Sequence, residues 1–233
     1  MYMKRMLCLA NSTKKHEKGE GRCLAGREVL AGGFGSWIRP VSIRSSREVC
    51  ESERQCQDGT PAQVLDVIVV PLLRPQPEHH QIENHVIDAG HRWLRHGKGT
   101  WRDVQAALDT PRGPLWINGY STYNGQNDHV PESLAGTLRR SLYLISPDAV
   151  YLIVKTERAF NTLPKRRVRA SFSLNGVDYT LVVTDPVVTG KYIRGKEGEF
   201  CIENAALCIS LGEAFNGNAY KLVATVITPD MGA

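Results

Sequence analysis

Residues 166–185 read Arg166-Arg167-Val168-Arg169-Ala170-Ser171-Phe172-Ser173-Leu174-Asn175-Gly176-Val177-Asp178-Tyr179-Thr180-Leu181-Val182-Val183-Thr184-Asp185. Asn175-Gly176 separates two runs of alternating side chains. This pair accepts positive φ at both central positions of a type I′ turn, so it predicts a tight hairpin between Arg166–Leu174 and Val177–Asp185. A two-residue loop fixes the register. Leu174 then faces Val177, Phe172 faces Tyr179, Ala170 faces Leu181 and Val168 faces Val183, all on one apolar face. The other face carries Arg167, Arg169, Ser171, Ser173, Asp178, Thr180 and Thr184, with Val182 as its single apolar member. A sheet that buries one face and presents a polar, partly basic one can serve as a binding surface.

Upstream, Ser141–Ile145 and Val150–Lys155 read as strands parted by the turn Ser146-Pro147-Asp148. Downstream, a Gly/Lys-rich connection leads to strands at Ala205–Leu211 and Ala219–Ile227, joined by a turn over Gly212–Asn218. Strand count and order fit a small Greek-key barrel of the OB type. The N-terminal half offers strands at Tyr2–Ala10, Ser36–Ser42 and Gln63–Leu73, and Arg22–Leu30 fits either a strand or a short helix. Lys14–Arg22 is expected as a solvated loop. Pro75–Gly99 is polar and His-rich with no sustained period. Thr100 and Asp103 form a capping box that predicts one short helix, running to about Leu108 before Pro111. Pro114–Pro131 is rich in Trp, Tyr, Asn and Gly and reads as a long structured loop. The expected fold is mainly β: two small OB-like Greek-key barrels with one short helix and long structured loops. An N-terminal barrel with long insertions spans 1–145 and a C-terminal barrel spans 146–233.

The net charge of +5 permits a polyanion partner without demanding one. The richest apolar run, Val64–Leu73, holds Asp66 and Pro71 and is too short to span a bilayer. Met1–Leu7 lacks the apolar core of a signal peptide, and the charged stretch Lys14–Glu20 follows it. The expectation is a cytoplasmic protein with no membrane contact. Cys8, Cys23, Cys50, Cys56, Cys201 and Cys208 show no paired spacing and read as thiols, not as a zinc site.

Lys165, Arg166, Arg167 and Arg169 form the strongest candidate for contacting phosphates, whose affinity falls as salt rises. Arg140, Lys191, Arg194 and Lys196 could flank them. Stacking partners and amide groups for a base could come from Trp37 beside Arg39. A second source is the loop holding Trp116, Asn118, Tyr120, Tyr123, Asn127 and Asp128. The competing reading makes the tryptophans core plugs and the Asn-Gly pairs turns. His79, His80, Glu83, His85, Asp88 and His91 are right for a metal in type but match no standard ligand spacing. No nucleophile elbow or phosphate-binding loop is present, and Gly32-Gly33-Phe34-Gly35 reads as a turn. No catalytic residue, metal or cofactor is assigned.

Several stretches resemble a bacterial family of dual-OB-domain proteins. They are Ser36-Trp37-Ile38-Arg39-Pro40-Val41-Ser42, Leu115-Trp116-Ile117-Asn118-Gly119, Asn127-Asp128, Thr184-Asp185-Pro186, Ser210-Leu211-Gly212-Glu213 and Tyr220-Lys221-Leu222. The resemblance covers nearly the whole chain. It implies two OB-type barrels, a binding role toward DNA, RNA or a nucleotide, and an association with prokaryotic antiviral defence loci. A protein effector encoded nearby is a second candidate partner. The alternatives are a protein-interaction adaptor and, third, a metal-dependent nuclease using the His79–His91 region.

Overall fold

The computed structural model describes residues 1–13, 21–158 and 163–232, so most of the expected loop at Lys14–Arg22 lies outside the described residues. The chain is mainly β and divides into two compact units. The first holds residues 1–108, 139–141 and 229–233; the second holds 109–138 and 142–228.

Six strands build the first unit: β1 (Tyr2–Thr13), β2 (Arg22–Leu30), β3 (Gly33–Val41), β4 (Asp66–Pro75), β5 (Asn84–Ile87) and β6 (Leu94–Lys98). The order β1-β2-β3-β5-β4 closes through pairing of β4 with β1, and β6 extends the β4 edge. β3 and β5 run parallel and the other pairs antiparallel. This is the Greek-key order of an OB barrel. Closure is possible because β1 serves two ladders: Tyr2–Leu7 pair with β4 and Met6–Thr13 pair with β2. At the crossing, a Cβ on Gly26 would lie 2.1 Å from the Leu7 carbonyl oxygen, so only glycine fits there. Met6, Leu24, Ile38, Ile68, Leu72 and Trp93 form the core. Arg22–Leu30 resolves as a strand. The segment read as aperiodic contains β5 and β6. β6 is mostly exposed and has no apolar alternation to reveal it; Arg95 and Lys98 tie it instead to the fully buried Asp66. The capping box forms as expected: Thr100 and Asp103 bond reciprocally at the start of α1 (Trp101–Ala106).

The second unit contains β7 (His129–Pro131), α2 (Glu132–Ala135), β8 (Leu142–Ile145), β9 (Val150–Glu157), β10 (Lys165–Leu174), β11 (Val177–Val183), α3 (Pro186–Ile193), β12 (Gly198–Ile202), β13 (Ala206–Phe215) and β14 (Asn218–Ile227). The β10–β11 hairpin keeps the expected register, from Leu174 opposite Val177 to Ala170 opposite Leu181. Asn175 and Gly176 both adopt positive φ, 52° and 74°. The Phe172 and Tyr179 rings stack inside at 5.3 Å. Asn216-Gly217 repeats the device between β13 and β14, with φ of 51° and 77°. β13 therefore continues past Gly212, where the sequence reading placed a turn.

Two ladders reveal how this barrel closes. β12 pairs with β9 from Gly198 opposite Val154 to Ile202 opposite Val150. β13 pairs with β8 from Leu207 opposite Ile145 to Ser210 opposite Leu142. Ser146–Ala149 on one side and Glu203–Ala206 on the other are equal in length, so a single antiparallel register runs through both ladders. β8 and β9 are one first strand interrupted at Pro147, which has no N–H to donate. β12 and β13 are one interrupted fourth strand. The Ser146 hydroxyl donates to the Ala205 carbonyl within the gap. With β11 parallel to β14, the second unit repeats the strand order of the first.

The expected division at 145/146 falls between β8 and β9, inside this second unit. The turn at Ser146–Asp148 separates two halves of one strand, not two domains. One helix was expected, and the described residues contain three. α3 was missed because its valines and Gly190 are poor helix formers. Its start signals were nonetheless present: Asp185 caps it by accepting from Val187 and Val188 N–H, with Pro186 in the first turn. β12, likewise unexpected, is only five residues long and largely exposed.

Candidate nucleic-acid interface

OB barrels take oligomeric ligands on the face of their second and third strands, here β10 and β11. The face extends onto β9, where cross-strand pairs set Lys155 opposite Arg167, Ile153 opposite Arg169 and Tyr151 opposite Ser171. Val150, Leu152 and Val154 point into the core, so Tyr151, Ile153 and Lys155 point outward by alternation.

The four expected phosphate contacts do not behave alike. Lys165 is exposed. Arg166 reaches the Gly195 carbonyl at 2.6 Å and thereby ties β10 to the end of α3. Arg167 is half-buried, with its Nε 3.5 Å from Glu157. Arg169 is only 8% exposed. Its Nε and one terminal nitrogen donate to the two Glu157 oxygens at 2.5 and 3.1 Å, and its other terminal nitrogen lies 3.7 Å from Asp128. Alternation places Arg169 on the polar face, but two buried carboxylates hold its guanidinium. It is a structural cation, a correction to its expected role in binding phosphate.

The cationic surface lies instead at the β9–β10 end and around the C-terminal end of α3. Residues 155–199 carry nine Lys/Arg against five Asp/Glu, most of the chain's net charge of +5. Lys155, Lys165, Lys191, Arg194 and Lys196 are exposed, with no carboxylate at ion-pair distance among the described residues. Glu197 lies among them. Its bond from the Thr156 hydroxyl, and then the nearby Arg166 and Lys155, hold its carboxyl below the usual range. The first barrel is different: Lys4 pairs with Glu28, Arg44 with Glu53, Arg47 with Glu78, and Arg95 and Lys98 with Asp66.

The loop ahead of β7 is held by buried polar ties. The Tyr179 hydroxyl accepts from Leu115 N–H at 2.8 Å and from Asn118 Nδ2 at 2.9 Å. Lys221, 1% exposed, donates from Nζ to Asn118 Oδ1 at 2.6 Å and to the Ile117 carbonyl at 2.9 Å. Asn127 caps the loop from within: Oδ1 accepts from Gly119 N–H and Nδ2 donates to the Asp178 carbonyl. Asp128, 3% exposed, accepts from Thr122 and faces His129 Nδ1 at 3.0 Å. Trp116 packs edge-on against Tyr143, and Tyr120 lies 6.0 Å from His129. Of the expected loop residues, only Tyr123 stands clear in solvent, at 98% exposure. Asn118 and Asp128 are therefore ties holding the loop to the barrel.

Burial lowers the Lys221 pKa to about 7, against an opposing pull from the Asp128 charge. Between pH 7 and its ordinary value near 10.5, the unfolded chain binds a proton that the native Lys221 does not, so stability rises with pH in that window. The expected result is that wild-type protein gains on a Lys221→Met variant by up to about 1.4 kcal/mol per pH unit above pH 7. Urea unfolding of both proteins at several pH values measures this, and the comparison cancels thiol titration such as that of Cys8. A pH-independent difference would contradict it.

In the first barrel, Trp37 is buried with the Arg27 guanidinium over its ring at 5.7 Å. Arg39 is buried too; it donates to Ser141 Oγ at 2.7 Å, 3.9 Å from Glu83. Neither presents the exposed pair that was expected. The His-rich region does not converge. His80 is buried, His85 bonds the Tyr2 hydroxyl at 2.5 Å, and His91 pairs with Asp88. Among the described residues no three His, Cys, Asp or Glu side chains are placed to hold a metal ion.

Sequence reasoning missed Tyr151, the aromatic on this face, which is 40% exposed. The signal was the alternation Val150, Leu152, Val154, which turns Tyr151 to the side of Lys155. No helix among the described residues is long and apolar enough to cross a membrane.

Comparison with curated proteins finds no match, and comparison with solved structures finds none. The two barrels of one strand order do have a counterpart among known families. The family model of the dual OB-containing domain matches residues 4–226, and the chain belongs to that family.

Proposed function

We propose that this chain binds nucleic acid by its phosphates on the cationic end of the second barrel, formed by Lys155, Lys165 and Arg167 with Lys191 of α3 and with Arg194 and Lys196 just after it. The observation that carries this reading is a contrast between barrels: Lys155, Lys165, Lys191, Arg194 and Lys196 face solvent without carboxylate partners among the described residues, with Arg167 beside them half-buried against Glu157, whereas Lys4, Arg44, Arg47, Arg95 and Lys98 of the first barrel are paired. Closely spaced, solvated cations bind phosphates with an affinity that ignores sequence and depends on salt. The adjoining OB face supplies the surface on which such a ligand would lie. A recognition or accessory role in a prokaryotic defence system is supported by the family resemblance alone.

Ultraviolet cross-linking of bound oligonucleotides, followed by peptide mapping, tests the placement. Cross-linked peptides are expected from 150–171 and 186–202. Cross-links confined to β2 and β3 of the first barrel would overturn it.

A further inference from the structure

The outer face of β9 and β10 changes character along its length. At one end Lys155 faces Arg167, and the side chains of α3 add further positive charge. One step along, Ile153 faces Arg169, whose charge is held by Glu157. One step further, Tyr151 faces Ser171, and on its other side the exposed Cys201 of β12. Ser171 Oγ lies 3.4 Å from the Thr180 hydroxyl, so a pair of small hydroxyls borders the phenol ring. Glu199 of β12 is exposed opposite Ile153, which makes this stretch poor ground for phosphate. The two ends of the face are four strand residues apart, about 13 Å.

We propose that Tyr151 and Ser171 form the base-reading half of the site. Its ligand must then present an unpaired base about 13 Å from the phosphates held at Lys155 and Arg167: a single strand. This rests on the phosphate reading above. A duplex keeps its bases stacked inside and offers Tyr151 no ring face. In a single strand the base can lie on the phenol ring, with its polar edge toward the Ser171 and Thr180 hydroxyls. A free nucleoside triphosphate shares the chemistry of base and phosphate, and the experiment separates it from a strand.

The test uses fluorescence anisotropy of the full chain with a labelled oligothymidylate, a duplex of the same length, and ATP as competitor. Wild-type protein is expected to prefer the single strand. Tyr151→Ala is expected to weaken single-strand binding about 5- to 150-fold, the range that one base–aromatic stack supplies. The slope of log affinity against log salt should stay unchanged, because stacking releases no counterions. Tyr151→Phe, which keeps the ring, is expected to bind like wild type. Tyr151 projects from the barrel, so neither substitution removes a core residue. Single-strand affinity unchanged in Tyr151→Ala, or a duplex bound as tightly as the strand, would overturn this proposal and leave phosphate binding standing. Displacement by ATP at concentrations matching the oligonucleotide would overturn the strand in favour of a free nucleotide. No binding by wild-type protein would remove the phosphate reading and this proposal together.

Discussion

Arg169→Ala is expected to destabilise the second barrel by about 3–5 kcal/mol, the cost of breaking a buried ion pair by removing one partner. Glu157 and Asp128 are both buried, and Arg169 is the cation that faces them together. Removing it leaves the Glu157 carboxylate out of water with Arg167 Nε, 3.5 Å away, as the one remaining cation beside it among the described residues. Asp128 retains its bonds from Thr122 and its contact with His129, so the loss concentrates on Glu157. A second variant separates charge from packing. Arg169→Leu with Glu157→Leu removes both charges and keeps much of the volume, and is expected to recover most of the lost stability. Chemical denaturation of the three proteins measures both effects. A loss under about 0.5 kcal/mol in Arg169→Ala, the size expected at an ordinary surface position, would show that the pair carries little of the fold.

The second large effect concerns binding. Lys155, Lys165, Arg167 and Lys196 replaced together by glutamine are expected to lower single-strand affinity by roughly 10²–10³-fold at 0.1 M salt. Each neutralised phosphate of a single strand contributes about 0.7 to the slope of log affinity against log salt, so four contacts contribute nearly three decades at that salt. Arg166 is left in place because it anchors the Gly195 carbonyl, and Arg169 because it holds Glu157. A matching set in the first barrel, Lys4, Arg44 and Arg74 replaced by glutamine, is expected to change affinity little. Lys4 and Arg44 already have carboxylate partners, and Arg74 bonds to Gln76. An equal loss from the two sets would place the site elsewhere.

How far the sequence could be read depended on whether the determinant was local. The β10–β11 hairpin was legible to the residue, because an Asn-Gly turn sets the register of its own flanks. The capping box of α1 was legible for the same reason. The broken first and fourth strands of the second barrel were not. Their continuity is a register held between segments far apart in sequence, and Pro147 looks locally like any turn. Alternation correctly put Arg167 and Arg169 on one face. It could not show that Glu157, at the end of the neighbouring strand β9, and Asp128, from the loop ahead of β7, take up the second of them. Polar residues in the motifs that carry the family resemblance proved to be ties within the barrels. Arg39 bonds Ser141, Asn118 accepts from Lys221, and Asp185 caps α3 while its second oxygen accepts from Val226 N–H. Such residues mark the family through its fold, whereas the cations proposed to meet phosphate lie mostly outside those motifs.

The most direct test of phosphate binding at the second barrel is the salt dependence of single-strand affinity, measured by anisotropy for wild type and the four-glutamine variant side by side. Two straight lines are expected on logarithmic axes, with the variant's slope shallower by about three. Parallel lines would contradict it, because they would mean that Lys155, Lys165, Arg167 and Lys196 release no counterions when the ligand binds.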